Sequence, residues 1–200
     1  KKIYFIILLT SVLYNSAFSY SENLIIEFKH IAPEALSAKF FNPLSNVALN
    51  SPRDTLKSFI ENVTLAHYYA YLVAEEDFKA PLFKRSKQLN MYTYFANTYM
   101  NRAKACLDLS DIPTVTKKSI GTERAILLKE VLDKIPFTLN DLPDAKEISN
   151  DANENRKRWS VGGTLIRIDT FNQEGFNTSY KFSLDTVNNI HKYYNLVTEY

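Results

Sequence analysis

One nine-residue stretch narrows the folds open to this chain. Ala105–Pro113, Ala-Cys-Leu-Asp-Leu-Ser-Asp-Ile-Pro, follows one apolar helical pattern and precedes another. Leu107, Leu109 and Ile112 are interleaved with Asp108, Ser110 and Asp111, and Pro113 disfavours helix at Ile112 just before it. The stretch therefore reads as a helix exit whose apolar side chains tuck under the next element.

The flanking patterns supply the helices. Ser51-Pro52-Arg53-Asp54 is a helix start, with Ser as N-cap, Pro at the first helical position and an acid at the third, facing the positive end of the dipole. Leu56, Phe59, Ile60 and Val63 recur at helical spacing, and the stripe continues through Ala66, Tyr69, Ala70 and Val73 toward Glu75-Glu76-Asp77. Pro81 interrupts. A second helix is expected from about Ser86 to Leu107, with Leu89, Tyr92, Phe95, Tyr99, Ala103 and Cys106 on one face, antiparallel to the first and meeting it through aromatics. Thr122-Glu123 opens a third, with Ala125, Leu128, Val131, Leu132 and Ile135 on one side, ending at Pro136.

Beyond it the character changes. Asn140 to Asn155 has loop composition. Trp159-Ser160-Val161, Gly162-Gly163 and Thr164 to Phe171 read as β structure, Asn172 to Asn177 as a turn and Ser179 to Ser183 as the returning strand. Asp185-Thr186 caps a last helix carrying Val187, Ile190, Tyr194 and Val197. The expected fold is mainly α (α+β): a bundle of about four helices over 51–200 with a C-terminal β-hairpin at about 159–183.

The N-terminus reads as an address. Lys1 and Lys2 precede a mostly apolar run from Ile3 to Tyr14, and Ala17-Phe18-Ser19 offers small residues where a signal peptidase cuts. We expect a signal peptide at 1–19, export to the periplasm, and a loosely packed leader at 20–50 broken by Pro33 and Pro43. Those two lysines also supply the whole formal charge of +2, so the processed chain is neutral and no nucleic-acid partner is expected. A hydrophobic content of 46% with 13 Tyr and 13 Phe argues for a globular core. The single cysteine, Cys106, sits in an apolar run and reads as buried filler.

Chemical signatures are missing. His30, His67 and His191 are too dispersed for a metal site, and Glu75-Glu76-Asp77 points in different directions around a helix, as a solvated end does. Gly-x-Ser-x-Gly is absent, and four glycines make no phosphate loop. Arg156-Lys157-Arg158-Trp159 is the one basic and aromatic cluster; it follows Asp151 and Glu154 and reads as a hydrated edge, with Trp159 in the core of the hairpin. Tyr68, Tyr69, Tyr71, Tyr92, Tyr94, Phe95 and Tyr99 either pack together or line an apolar cavity. Asn62-Val63-Thr64 and Asn177-Thr178-Ser179 match glycosylation sequons and are not expected to carry meaning. No catalytic residue, metal or cofactor is expected, and the chain is not read as an enzyme.

Four landmarks occur in order: Ser51 to Thr55 with Leu56 and Phe59; Ala105 to Pro113; Leu128 to Ile135; and Phe182 to Val187. Together they resemble the periplasmic N-terminal region of bacterial small-conductance mechanosensitive (MscS-type) channel proteins, over roughly Ser51 to Tyr194. The stretch from Ala66 to Asn97 is longer and more aromatic than that pattern. The resemblance implies a non-catalytic extracytoplasmic domain that modulates gating or assembly, in a homo-oligomer formed through the full-length channel and held to the membrane by a C-terminal part missing here. No apolar run after Ser19 reaches spanning length, and the missing initiating Met and the stop after the last landmark point to a fragment. Asp108 and Asp111 at the joint, the final helix, and Arg158 and Trp159 are the candidate interface residues. The alternative is a stand-alone periplasmic module that binds a small apolar ligand within its aromatics.

Overall fold

The computed structural model describes residues 46–79, 86–150, 158–171 and 178–199. The expected signal peptide and all but the end of the expected leader lie outside them, as does the break expected at Pro81. Val47–Tyr200 forms one compact unit.

Helix α1 spans Pro52–Lys79. Its start is as the sequence dictates: Ser51 Oγ accepts the Asp54 N–H at 3.0 Å, satisfying one of the four donors a helix start leaves open. Helix α2 runs Lys87–Ala105, capped by Ser86, whose hydroxyl accepts the Leu89 N–H at 2.9 Å. Facing rings join the two helices: Tyr69 stacks on Tyr99 at 5.7 Å and meets Phe95 at 5.0 Å.

Helix α3 occupies Thr114–Leu132, starting eight residues before the expected Thr122. Pro113 itself is the N-cap, its carbonyl accepting from Thr116 and Lys117 at 3.0 and 2.9 Å. The missed turns are exposed from Thr114 to Ser119, so no apolar stripe marks them. Where α3 passes the joint it does so closely: a Cβ on Gly121 would lie 2.9 Å from Leu109 and 3.1 Å from Lys104.

The polar stretch expected as loop holds a 3-10 turn, Leu139–Asp141, and a short helix α4, Ala145–Asn150. Local capping builds both. Thr138 N–H donates to Asp141 at 2.7 Å. Asp144 accepts from the Lys146 and Glu147 amides at 2.9 and 2.8 Å while its own N–H donates to Glu147 at 2.8 Å, a reciprocal capping box. Arg53 on the first turn of α1 then fastens this segment, donating to the Leu142 carbonyl (2.8 Å), Asp144 (3.3 Å) and Glu147 (2.8 Å).

The expected hairpin exists as β2, Arg167–Phe171, with β3, Ser179–Phe182, but a third strand, β1 at Arg158–Ser160, extends it to an antiparallel sheet in the order β1-β2-β3. Trp159 pairs with Ile168, and Ile168 with Phe182, so these side chains share one face. That face is buried, in keeping with the period of two along a strand. Gly162 and Gly163, at φ 55° and 67°, make the turn between β1 and β2, backbone conformations glycine adopts without strain. The last helix is two pieces, α5 at Leu184–Asn188 and α6 at Ile190–Thr198, separated by Asn189. Ser183, not Asp185, is the cap: its hydroxyl accepts the Thr186 N–H at 3.1 Å.

One core unites these elements: Leu56, Phe59 and Val63 of α1, Ala103 of α2, Leu128, Val131 and Leu132 of α3, the inner face of the sheet, and Val187 and Ile190. Among the described residues no helix is long and apolar enough to cross a membrane.

Candidate interaction surface at the helix joint

The joint 106–113 does more than end α2. Its backbone pairs with the outer edge of β3: Leu107 bridges Phe182 in parallel, the Phe182 N–H donates to the Cys106 carbonyl at 2.8 Å, and the Asp108 N–H donates to the Phe182 carbonyl at 3.0 Å. Further along the same edge, Tyr180 N–H donates to the Leu49 carbonyl at 3.0 Å. An edge that would otherwise expose bare donors and acceptors is thereby covered.

Three of the four landmark segments reach this place, and the other shares its core. From the first, Thr55 Oγ1 donates to the Tyr180 carbonyl at 2.8 Å, and the Phe59 ring meets the Phe182 ring edge-on at 5.1 Å. The second is the joint itself. The third contributes Leu128, Val131 and Leu132 to the same core. The fourth begins with Phe182, fully buried, and continues into the Ser183 cap. Segments separated by up to 125 residues along the chain are in hydrogen-bond contact here.

Of the four candidate interface residues, the structure brings two together. Asp108 accepts from the Ser110 amide at 3.0 Å, a local turn that fixes its carboxylate. It lies near Lys181, whose ammonium sits 3.9 Å above the Phe171 ring. Burial pushes the Lys181 amine below its usual range, and the negative charge of Asp108 opposes that shift. Asp111 is exposed and accepts from Asn188 at the end of α5 at 3.4 Å. The joint is thus tied to both β3 and the terminal helices, and Arg124 of α3 adds a hydrogen bond to the Val187 carbonyl.

Arg158 and Trp159 lie apart from the joint, on β1. Arg158 is exposed and pairs with Asp169 on β2 through contacts of 2.9 Å, which raise its pKa further. Trp159 is buried, with its ring edge-on to Tyr180 at 5.4 Å, so it is a core residue of the sheet and offers little surface.

Sequence reasoning did not single out Arg53, Lys181, Asn188 or Arg124. Arg53 had a signal only as a helix-start residue; its three acceptors lie about ninety positions away. The other three carried none, since each acts through a partner supplied by the fold.

Chemically the surface can bind and brace. Cys106 is the filler its context implied: fully buried, with its thiol pushed up to about 12 by that burial. Among the described residues no three His, Cys, Asp or Glu side chains could hold a metal ion together. His191 lies 3.4 Å from Glu123 on the surface; His30 is outside the described residues. Of the aromatic series between α1 and α2, Tyr69 and Tyr99 are buried and stack, with Tyr92 and Phe95 packed on Tyr69, whereas Tyr71 and Tyr94 are exposed. No family model, curated protein or solved structure matches this chain.

Proposed function

We propose that this domain is the extracytoplasmic, non-catalytic part of a mechanosensitive channel protein, modulating its gating or assembly while the pore lies outside these residues. The observation that carries the reading is the convergence on Phe182. Three of the four segments that resemble the channel family's N-terminal landmarks meet around β3 and the third packs in the same core, so the resemblance rests on residues that hold one fold together. A scattering of chance matches over the surface would have no reason to do so.

On this reading the domain is a brace. Force or subunit contact applied through α5 and α6 passes to the joint through Asn188 and Asp111 and to α3 through Arg124 and the Val187 carbonyl. Channel function also needs partners: neighbouring copies and a membrane part, with periplasmic export to place them. The packed aromatics between α1 and α2 favour a structural role for that region over the alternative, an apolar-ligand site.

The test is in two steps. The gene's reading frame beyond Tyr200 should encode apolar runs of spanning length. In the full-length protein, reversing charge with Asp111→Arg should shift the gating tension or the subunit assembly seen in detergent. A frame lacking such runs, or a variant with unaltered threshold and assembly, would count against the reading.

A further inference from the structure

The first turns of α3 stand clear of the core. Every residue from Pro113 to Ser119 is exposed, whereas a helix packed along one side hides a residue at each turn. Val115, on the first of these turns, is 94% exposed. Lys117 and Lys118 follow it, both exposed, and no acid in the first turn offsets them.

The body behind adds two more cations. At Gly121 the helix closes on the end of α2, where a Cβ would lie 3.1 Å from Lys104 Cδ, so the Lys104 stem runs along α3 beside the turn that carries Lys118. Burial lowers the Lys104 amine, and the charge of Lys118 lowers it further. Lys181 on β3 is likewise lowered by burial first; Asp108 opposes the shift and Lys117 adds to it. At about 100° per residue, Lys117 and Lys118 lie on α3 some 40° and 60° to either side of Gly121. The four lysines thus flank the place where α3 meets the joint. Among the described residues none of them forms an ion pair. The acids of the joint are turned to local donors, Asp108 to the Ser110 amide and Asp111 to Asn188. Because the whole chain carries a formal charge of only +2, this excess of positive charge is local.

We propose that the projecting start of α3, with Val115 at its tip and Lys104, Lys117, Lys118 and Lys181 behind it, docks on an anionic phospholipid surface. Ammonium groups donate to the phosphate oxygens of the headgroups, and each lysine near such a surface strengthens binding by about fivefold. Val115 enters the headgroup layer. A folded acidic protein fits less well, since a protein interface has an apolar core and Val115 is the one large apolar side chain exposed on these turns. The inference does not rest on the channel reading.

Vesicle flotation of the full chain tests it. Phosphatidylglycerol vesicles should bind about tenfold or more tighter than phosphatidylcholine vesicles at low ionic strength, and about 0.5 M salt should remove the excess; binding through the apolar run Ile3 to Tyr14 is common to both lipids and cancels. Lys118→Glu should cut the excess by about twentyfold. Lys87→Glu, the same charge change at an exposed site about 27 Å away along α2, should leave it intact. Val115→Ser, which alters no charge, should lower it by a few fold. No excess for the anionic lipid, an equal loss in Lys87→Glu, or an excess unaltered in Lys118→Glu would overturn the proposal. Release by inorganic phosphate at matched ionic strength would do so too, marking a site for the free ion. Should Lys118→Glu fail to fold by circular dichroism, Val115→Ser decides alone, and undiminished binding there would sink the idea.

Discussion

Replacing Phe182 with alanine should be the most costly single truncation in the sheet. The side chain is fully buried, its ring meets Phe59 edge-on at 5.1 Å, and its backbone carries both hydrogen bonds that tie the joint to β3. The backbone bonds survive the substitution, so the loss is that of a buried aromatic and the cavity it leaves, about 3–5 kcal/mol. Against a total stability of about 5–15 kcal/mol, that is a large fraction. In a chain of this size each kcal/mol moves the midpoint by about 2–4 °C, which gives a fall of roughly 6–20 °C. Urea unfolding followed through Trp159 fluorescence is a direct assay, because that ring packs on the neighbouring Tyr180 of β3. Phe78→Ala is the matched control: the same atoms are removed from a ring 93% exposed on α1, and the cost should stay within about 0.5 kcal/mol. If Phe182→Ala cost no more than Phe78→Ala, the convergence of segments on β3 would not be what stabilises the fold.

Three further outcomes are expected. Gly162→Ala should destabilise by more than Gly163→Ala on thermal unfolding: both need positive φ, costing about 1 kcal/mol or more, but only Gly162 would also drive a Cβ to 2.7 Å from the Pro136 oxygen. Cys106, with its thiol pushed up to about 12 and no exposure, should resist alkylation by iodoacetamide in the folded protein at pH 8 and react once urea is added, as counted by mass spectrometry. Hydrogen bonds from the Thr138 backbone and hydroxyl depress the Asp141 carboxyl, and amides at the start of α4, Glu147's first, depress that of Asp144. A carboxyl held lower in the folded state stabilises fully above its unfolded value near 3.8 and ceases to do so as pH falls through the folded value. Stability should therefore decline below about pH 4, and Thr138→Ala should flatten that decline in an acid titration of the melting temperature.

Much of the helical architecture was legible before any coordinates. The Ser51 cap stands where residue chemistry put it, and the second helix begins at the expected Ser86. The hairpin β2–β3 was readable from its alternation, because one face is buried and the other is not. What escaped notice were elements without an apolar stripe: the exposed first turns of α3 and the capping-box helix α4, which sets one side chain, Ile148, against the core. The third strand was legible in part: Trp159-Ser160-Val161 read as β structure, and what the fold added is its pairing along the edge of β2.

The candidate surface divides in the same way. From the sequence alone came the joint as a helix exit, the buried fate of Cys106, and the ordered landmarks, since each depends on neighbours within a few positions. Only the tertiary structure decided that the joint completes a sheet and that Arg53 clamps a segment about ninety residues away. Local propensity acts over one or two turns of chain, whereas an edge, a clamp or a cleft is made by groups whose meeting is fixed only when the common core excludes water.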